Sequence, residues 1–332
     1  MRAKSDIKGK ETGFMCKKLV SIVIPCYNEE ETLSLLYQEL NRVTDELEKY
    51  RFEYLFVNDG SKDGTLSLIT KLAREDEKVK YVSFSRNFGK EAAILAGLAH
   101  ARGEYVATMD ADMQDPPALI PMMLKDMETG EYDNVACRRV SRKGEPLIRS
   151  AFARFFYKIM RKMTGMNIAD GARDYRLMSR QMVESILSIK EYNRFSKGIF
   201  AWVGYRTKWI EFENVERIAG ETKWSFWQLL RYSFEGIVNF SNAPLMFSSY
   251  FGLFLTFVAF IAILFIVIRA LLFGDPVAGW PSTICIITFI GGIQLFCMGI
   301  MGQYISKTYM EVKHRPMYII QESNLDEVKW NS

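Results

Sequence analysis

The chain has 332 residues, 49% apolar and 25% charged, with 43 Lys and Arg against 39 Asp and Glu. That composition supports a buried core and excludes a disordered chain, a collagen-like repeat or a disulfide scaffold. Mean hydropathy is close to zero, at −0.04, yet the apolar residues are segregated. No charge occurs from Gly236 to Ile268 or from Pro276 to Ser306. Each run exceeds the roughly twenty residues an α-helix needs to cross a bilayer, so a wholly soluble protein is excluded.

The first half alternates strand and helix signals. Apolar runs at Leu19 to Ile24, Tyr54 to Val57, Val79 to Phe84 and Tyr105 to Met109 each end in a polar turn. Amphipathic stretches of helix length lie between them, at Glu30 to Tyr50, Thr65 to Arg74 and Lys90 to Ala101. The alternation predicts a doubly wound, mostly parallel sheet. Ligands bind beyond the carboxyl ends of such strands. Those ends read Pro25-Cys-Tyr-Asn-Glu29, Asn58-Asp-Gly-Ser61, Ser85-Arg-Asn87 and Asp110-Ala-Asp112.

Between Arg138 and Lys162 nine basic residues face one acid, Glu145. Phe152, Phe155, Phe156, Ile159 and Met163 recur among them at helical spacing, which predicts a basic amphipathic helix on an anionic membrane surface. Trp224, Phe226, Trp227, Tyr232 and Phe234 then lead into the first apolar run and suit an interface belt. The short linker Arg269 to Pro281 makes the two runs a hairpin. Lys307, Lys313, His314 and Arg315 follow it and predict both termini on the cytoplasmic side. Met1 to Glu11 lacks the apolar core of a signal peptide, in keeping with this. Five cysteines without a C-x-x-C pair fit free thiols in a reducing compartment. With only His100 and His314 present, metal or acid–base chemistry must rest mainly on carboxylates.

The sharpest chemical signal is Asp110-Ala-Asp112 after the fourth strand. Two carboxylates one residue apart suit a hard divalent cation whose sphere diphosphate oxygens complete. A lone D-x-D reads equally as two solvated turn aspartates, but this position in an α/β unit favours the metal. The segment Asn58 to Thr65 imitates half of a calcium loop. Its twelfth position would be Thr70, which cannot supply the bidentate carboxylate, so calcium is rejected. Asp59 reads better as an acceptor for a base, with Asp63 capping the next helix. Neither a dinucleotide nor a P-loop glycine motif is present.

Together Pro25-Cys-Tyr-Asn-Glu-Glu30, Val57 to Thr65, Arg86-Asn-Phe-Gly-Lys90, Asp110-Ala-Asp112, Asp174-Tyr-Arg-Leu-Met178 and Arg217 to Lys223 resemble the family 2 glycosyltransferases of the GT-A fold. Within that family the chain is most similar to the polyprenyl-phosphate glycosyltransferases, the group of dolichyl-phosphate mannose synthase and bacterial undecaprenyl-phosphate glucosyltransferase. The resemblance covers residues 19 to 320. It implies that Pro25, Tyr27, Glu29 and Asp59 hold the nucleoside, and that Lys90, Asp110, Ala111, Arg217 and Lys223 complete the nucleotide-sugar site. Asp110, Asp112 and Gln114 would hold Mg²⁺ or Mn²⁺. Asp174, Arg217 and Lys223 are the catalytic set, with Asp174 a base or a positioning group. Arg173 stands where relatives usually have a small Gly. Arg138, Arg149 and Arg154 are the expected ligands of the lipid phosphate.

The implied activity is inverting, metal-dependent transfer of a hexose from a nucleotide sugar, a UDP-sugar by analogy, to polyprenyl phosphate. The expected partners are that donor, the acceptor, membrane lipid, a separate flippase and a downstream glycosyltransferase. A homo-oligomer is compatible with this, and nucleic acid is not a partner. A processive polysaccharide synthase is the alternative, since Gln228-Leu-Leu-Arg-Tyr232 comes within one residue of that group's Q-x-x-R-W signature, and a non-catalytic membrane scaffold is a third reading. The expected order is a polar tail at 1–18 and a cytoplasmic GT-A domain at 19–221, whose basic surface helix covers about 147–163. An interfacial helix at 222–243 follows, then a hairpin at 244–306 with helices of about 245–268 and 282–305, and a cytoplasmic tail at 307–332.

Overall fold

A computed structural model describes residues 17–139, 171–213, 243–273 and 279–326. The basic helix at 147–163, the interfacial helix at 222–243, and Arg149, Arg154, Arg217 and Lys223 lie outside the described residues.

The four expected strands form as β1 (Lys18–Cys26), β2 (Tyr50–Asn58), β3 (Val79–Phe84) and β4 (Tyr105–Thr108). Three crossover helices connect them: α1 (Leu33–Thr44), α2 (Thr65–Glu75) and α3 (Lys90–His100). All four strands run parallel, in spatial order β4-β1-β2-β3. Both faces of the sheet are covered, which is why the inner parts of the strands read as mostly apolar runs rather than strict alternation. Ile22, Ile24, Tyr54 and Phe56 pack with Leu33, Leu36 and Leu40 of α1, whereas Val23, Leu55 and Val57 pack against α3.

The sheet is completed beyond β4 by β6 (Ala172–Ser179), β5 (Asn134–Arg139) and β7 (Thr207–Phe212). Both β4–β6 and β6–β5 are antiparallel, and β5–β7 is parallel. Helices α4 (Ile120–Glu128), α5 (Arg180–Ser188) and α6 (Ser196–Trp202) pack around this half. Two long helices follow, α7 (Ala243–Phe273) and α8 (Trp280–Val312). Their segments Pro244–Ala262 and Phe289–Val312 are long and apolar enough to cross a membrane. Phe254, Phe260, Leu271 and Leu295 stand exposed on them, apolar surface on a scale that soluble monomers avoid. The expected mostly parallel α/β GT-A domain followed by an apolar helix pair is the fold adopted.

Three boundaries differ from the sequence reading. The first helix was expected to reach Tyr50, but it ends at Thr44 and Tyr50 already opens β2. Tyr50, Phe52 and Tyr54 all bury there, so strand packing overrides the helical spacing. Helices α7 and α8 outrun the expected 245–268 and 282–305 because a helix continues past its apolar stretch until the backbone is broken. At α8 the break is His314 in the left-handed region (φ 47°) followed by Pro316.

The third difference is larger. Residues 307–332 are not simply a tail, since β8 (Ile320–Ser323) pairs antiparallel with the edge of β3. Tyr318 is buried and stacked on Phe84, with centroids 5.1 Å apart. Asn324 extends the pairing with its side chain, accepting from Tyr81 N at 2.7 Å and donating to Val79 O at 3.0 Å. The strand covers an edge that would otherwise expose unpaired backbone, and it ties the end of α8 to the sheet. Truncating Tyr318 should therefore cost about 3 kcal/mol, the usual penalty for emptying an aromatic core site. Thermal unfolding of solubilised Tyr318→Ala should show a clear fall in midpoint; a free tail would show none.

Candidate active site

The carboxyl ends of β1, β2, β3 and β4 converge on one edge, as the parallel topology requires. The first two loops are stapled to each other. Asn28, held at φ 55°, donates from its N to Ser61 Oγ at 3.0 Å and accepts from Lys62 N at 2.9 Å. Glu29 N donates to Thr65 Oγ1 at 2.9 Å, and Glu30 Oε2 accepts from Gly64 N at 2.6 Å. These contacts set Pro25, half-exposed Tyr27 and Glu29 along the loop where a nucleoside is expected. Asp63 accepts from Thr65 N at 3.1 Å, at the first residue of α2, and from Glu30 N at 3.3 Å. Burial works against its charge, but the bonds from Thr65 and Glu30 carry its carboxyl below the usual range.

Asp59, expected at the base, is nearly buried and turns to the third loop. Its carboxylate accepts from Phe88 N at 2.6 Å and Gly89 N at 2.9 Å. Burial pushes its carboxyl up despite those bonds. Gly60 (φ 62°) completes the junction, because a Cβ there would stand 2.4 Å from the Arg86 carbonyl carbon. The Arg86–Gly89 loop is thereby fixed against β2.

The candidate centre is built where β6 runs back beside β4. Thr108 pairs with Arg176 in register, and Thr108 Oγ1 donates to Asp174 O. The antiparallel step brings Arg173 and Asp174 to Asp110, more than sixty positions earlier in the chain. Lys90, at the start of α3, reaches both acids, with Nζ 2.6 Å from Asp110 Oδ1 and 2.7 Å from Asp174 Oδ2. Desolvation opposes this ammonium, but the two carboxylates hold it protonated well above its usual range. The same logic runs in reverse at Asp174: burial works against its charge, and Lys90 overcomes it, keeping the carboxyl well below the ordinary range.

Arg173, the departure noted in the sequence, does not displace Asp174. Its Nε donates to Asp115 Oδ1 at 3.0 Å, and Nη2 lies 2.9 Å from that oxygen and 3.8 Å from Asp110 Oδ2. Asp115 is fully buried and its Oδ2 accepts from Asp110 N at 3.0 Å. Burial pushes the Asp115 carboxyl up to about 6, with Arg173 pulling it back down. Tyr175 adds a tie from the same strand, its hydroxyl donating to Pro116 O at 2.9 Å. Sequence reasoning gave Asp115 no task; its spacing from Asp110 carries no signal until β6 supplies the guanidinium.

The loop that carries the aspartate pair is strained. Met113 has φ 60°, rare for a side chain of its kind and typical of functional loops. The turn directs Gln114 N to Asp112 Oδ1 at 3.1 Å, while Ala111 is buried beneath it. Hard oxygens at Asp110, Asp112 and Gln114 fit a divalent cation in kind. Among the described residues, no three His, Cys, Asp or Glu side chains gather closely enough to hold an ion by themselves. Most of the sphere would come from ligand oxygens and water. Arg138, expected at a lipid phosphate, lies on β5 and is paired with Glu211 of β7.

A doubly wound sheet with these loop motifs on its carboxyl edge is the scaffold of a sugar-transferring enzyme. The chain belongs to glycosyl transferase family 2, whose domain matches residues 21–187, and it is a glycosyltransferase. A candidate glycosyltransferase of Bacillus subtilis (strain 168), CsbB, is 43% identical over 94% of each chain. The SfII prophage-derived bactoprenol glucosyl transferase of Shigella flexneri is 42% identical over 92% of this chain and 98% of its own. The prophage bactoprenol glucosyl transferase homolog of Escherichia coli (strain K12) is 42% identical over 91% and 98%.

Removing Arg173 leaves the buried Asp115 carboxylate without its cation, a change that typically costs about 3 kcal/mol. Thermal unfolding should show Arg173→Gly strongly destabilised and Arg173→Gly with Asp115→Asn partly restored. Equal loss in both proteins would show that the pair is not the source.

Proposed function

We propose that this protein transfers glucose from a nucleotide sugar, UDP-glucose, to polyprenyl phosphate at the cytoplasmic face of a membrane. The observation that carries the reading is the Lys90–Asp110–Asp174 cluster, set on a GT-A domain joined to two apolar helices. Relatives matched along nearly their whole length are named for glucosyl transfer to bactoprenol, a polyprenyl alcohol. Pro25, Tyr27 and Glu29 hold the nucleoside, with Asp59 fixing the neighbouring loop.

A lipid phosphate is already an anion at neutral pH, so the reaction needs alignment and leaving-group stabilisation more than a base. Asp174 suits that economy. A carboxylate held so firmly ionised is a poor proton acceptor, and its role in this reading is to anchor Lys90 beside the transferred sugar. A phosphate oxygen attacks the anomeric carbon from the face opposite the diphosphate, and configuration inverts. Arg217 and Lys223 neutralise the diphosphate as its bond to the sugar breaks. A Mg²⁺ or Mn²⁺ ion held by Asp110, Asp112 and Gln114 would supply further positive charge to the same oxygens. Arg149 and Arg154, on the basic segment, draw the domain to anionic lipid. The product then faces the cytoplasm and requires a separate flippase and a downstream glycosyltransferase.

Two variants test this reading. Asp112→Asn should lower glucosyl transfer to undecaprenyl phosphate by several kcal/mol in barrier height, roughly 100-fold or more. Mn²⁺ affinity, read by electron paramagnetic resonance, should fall with it while the unfolding midpoint stays in place. Lys223→Ala should lower kcat more than it raises KM for UDP-glucose, because its charge matters most as the diphosphate departs. A raised KM with kcat intact would make Lys223 a ground-state ligand.

A further inference from the structure

The Arg86–Gly89 loop is fixed by Asp59 and Gly60, yet the donor chemistry gives it no task. Arg86 stands exposed, its guanidinium over the Phe88 ring at 4.2 Å. The loop forms one wall of a crevice of about 570 Å³, and the opposite wall is Asn193 and Arg194 together with Gln303, Ser306 and Lys307 of α8. Among the described lining residues Glu91 is the one acid, and it is turned onto Ser196, accepting from Ser196 N at 2.8 Å and from its hydroxyl. Among the described residues the lining thus carries three cations, Arg86, Arg194 and Lys307, with several neutral donors, and its one carboxylate is turned onto Ser196.

Two placements say what such a space receives. The first is depth. Pro276 to Ser306 carries no charge and Lys307 is the first that follows, so the crevice lies where α8 leaves its uncharged stretch, which the transfer reading sets at headgroup level. Glu311, one turn further on, ties α8 to the 192–193 turn within that wall. Its carboxylate accepts from Tyr192 N at 3.0 Å, Asn193 N at 3.1 Å and Asn193 Nδ2 at 3.0 Å. The second placement is direction. The Arg86–Gly89 wall runs straight into Lys90, whose ammonium lies on Asp110 and Asp174. The crevice thus shares the Arg86–Gly89 loop with the residue that anchors the Asp110–Asp174 cluster.

We propose that this crevice binds the phosphate head of a membrane lipid, the reacting polyprenyl phosphate, with Arg86 and Lys307 as its ligands and Arg194 adding charge from the wall. The proposal rests on the transfer reading above and assigns its acceptor site. Arg194 is less exposed, and its guanidinium donates to Ile189 O at 2.6 Å, so it is the structural member of the three. In the step itself a phosphate oxygen forms the new bond to the anomeric carbon. The bond from that carbon to the diphosphate breaks, and its electron pair leaves on the nucleoside diphosphate. No proton transfer is required of the acceptor.

The test uses the full chain in nanodiscs, with Arg86→Ala, Lys307→Ala, the double variant, and Arg149→Ala/Arg154→Ala for comparison. Binding of farnesyl phosphate, a short soluble probe, is read directly by native mass spectrometry, and transfer from UDP-glucose to undecaprenyl phosphate is read separately. Each single crevice variant should weaken probe binding and raise KM for undecaprenyl phosphate about tenfold, the scale of one charge-assisted hydrogen bond. The double variant should lose more, with KM for UDP-glucose unchanged. Equal probe binding by wild type and the double variant overturns the site. So does a loss confined to Arg149→Ala/Arg154→Ala, or a loss that follows phosphatidylglycerol content and spares farnesyl phosphate, which would make the occupant a bystander lipid. A wild type that binds the probe through these residues yet transfers no glucose refutes the transfer reading and leaves the lipid-phosphate site standing.

Discussion

Three carboxylates, Asp110, Asp115 and Asp174, lie within two ion-pair steps of one another at the end of β4, and the local structure depends on how their charge is balanced. Lys90 spans the first and the third; Arg173 spans the second and, at longer range, the first. Buried carboxylates without partners would be driven to protonate or would destabilise the fold. Each cation comes from a different element, Lys90 from the start of α3 and Arg173 from β6. The charge balance therefore also fixes where α3 and β6 meet the β4 loop. A diphosphate brought here adds negative charge to an already acidic site, which is why a divalent cation and the proposed Arg217 and Lys223 belong to the same reading.

The parallel half of the domain was legible because its signals are local. An apolar run ending in a polar turn states both the strand and its functional end, and β1 to β4 form where those runs stand. The loop motifs were legible in the same way, and the structure adds how Asn28, Ser61 and Thr65 staple two of them together. What stayed hidden depends on distant pairing. Strand β8 is four residues long with mixed polarity, and only the open edge of β3 makes it a strand. Glu311 lies within the expected tail, and becomes a latch because the Tyr192–Asn193 amides face it. Arg173 stood out as a departure from pattern, but its partner Asp115 is set by antiparallel register, which no local periodicity encodes.

Those hidden contacts bear on what the apolar helices do. A hairpin joined to its domain only by a flexible tail would anchor the enzyme and leave its height and tilt above the bilayer free. Here α8 is held at two places, through Glu311 on the 192–193 turn and through Tyr318 and β8 on the sheet edge. Both ties lie within about a dozen residues of Lys307. The end of the apolar stretch is thereby fixed relative to the Arg86–Gly89 loop, and that loop relative to Lys90. For a reaction between a soluble donor and a phosphate confined to the headgroup layer, a fixed height converts a search in three dimensions into one of alignment. The chemistry proposed here asks little of a base and much of geometry, and the two ties on α8 are the part of the chain that supplies it.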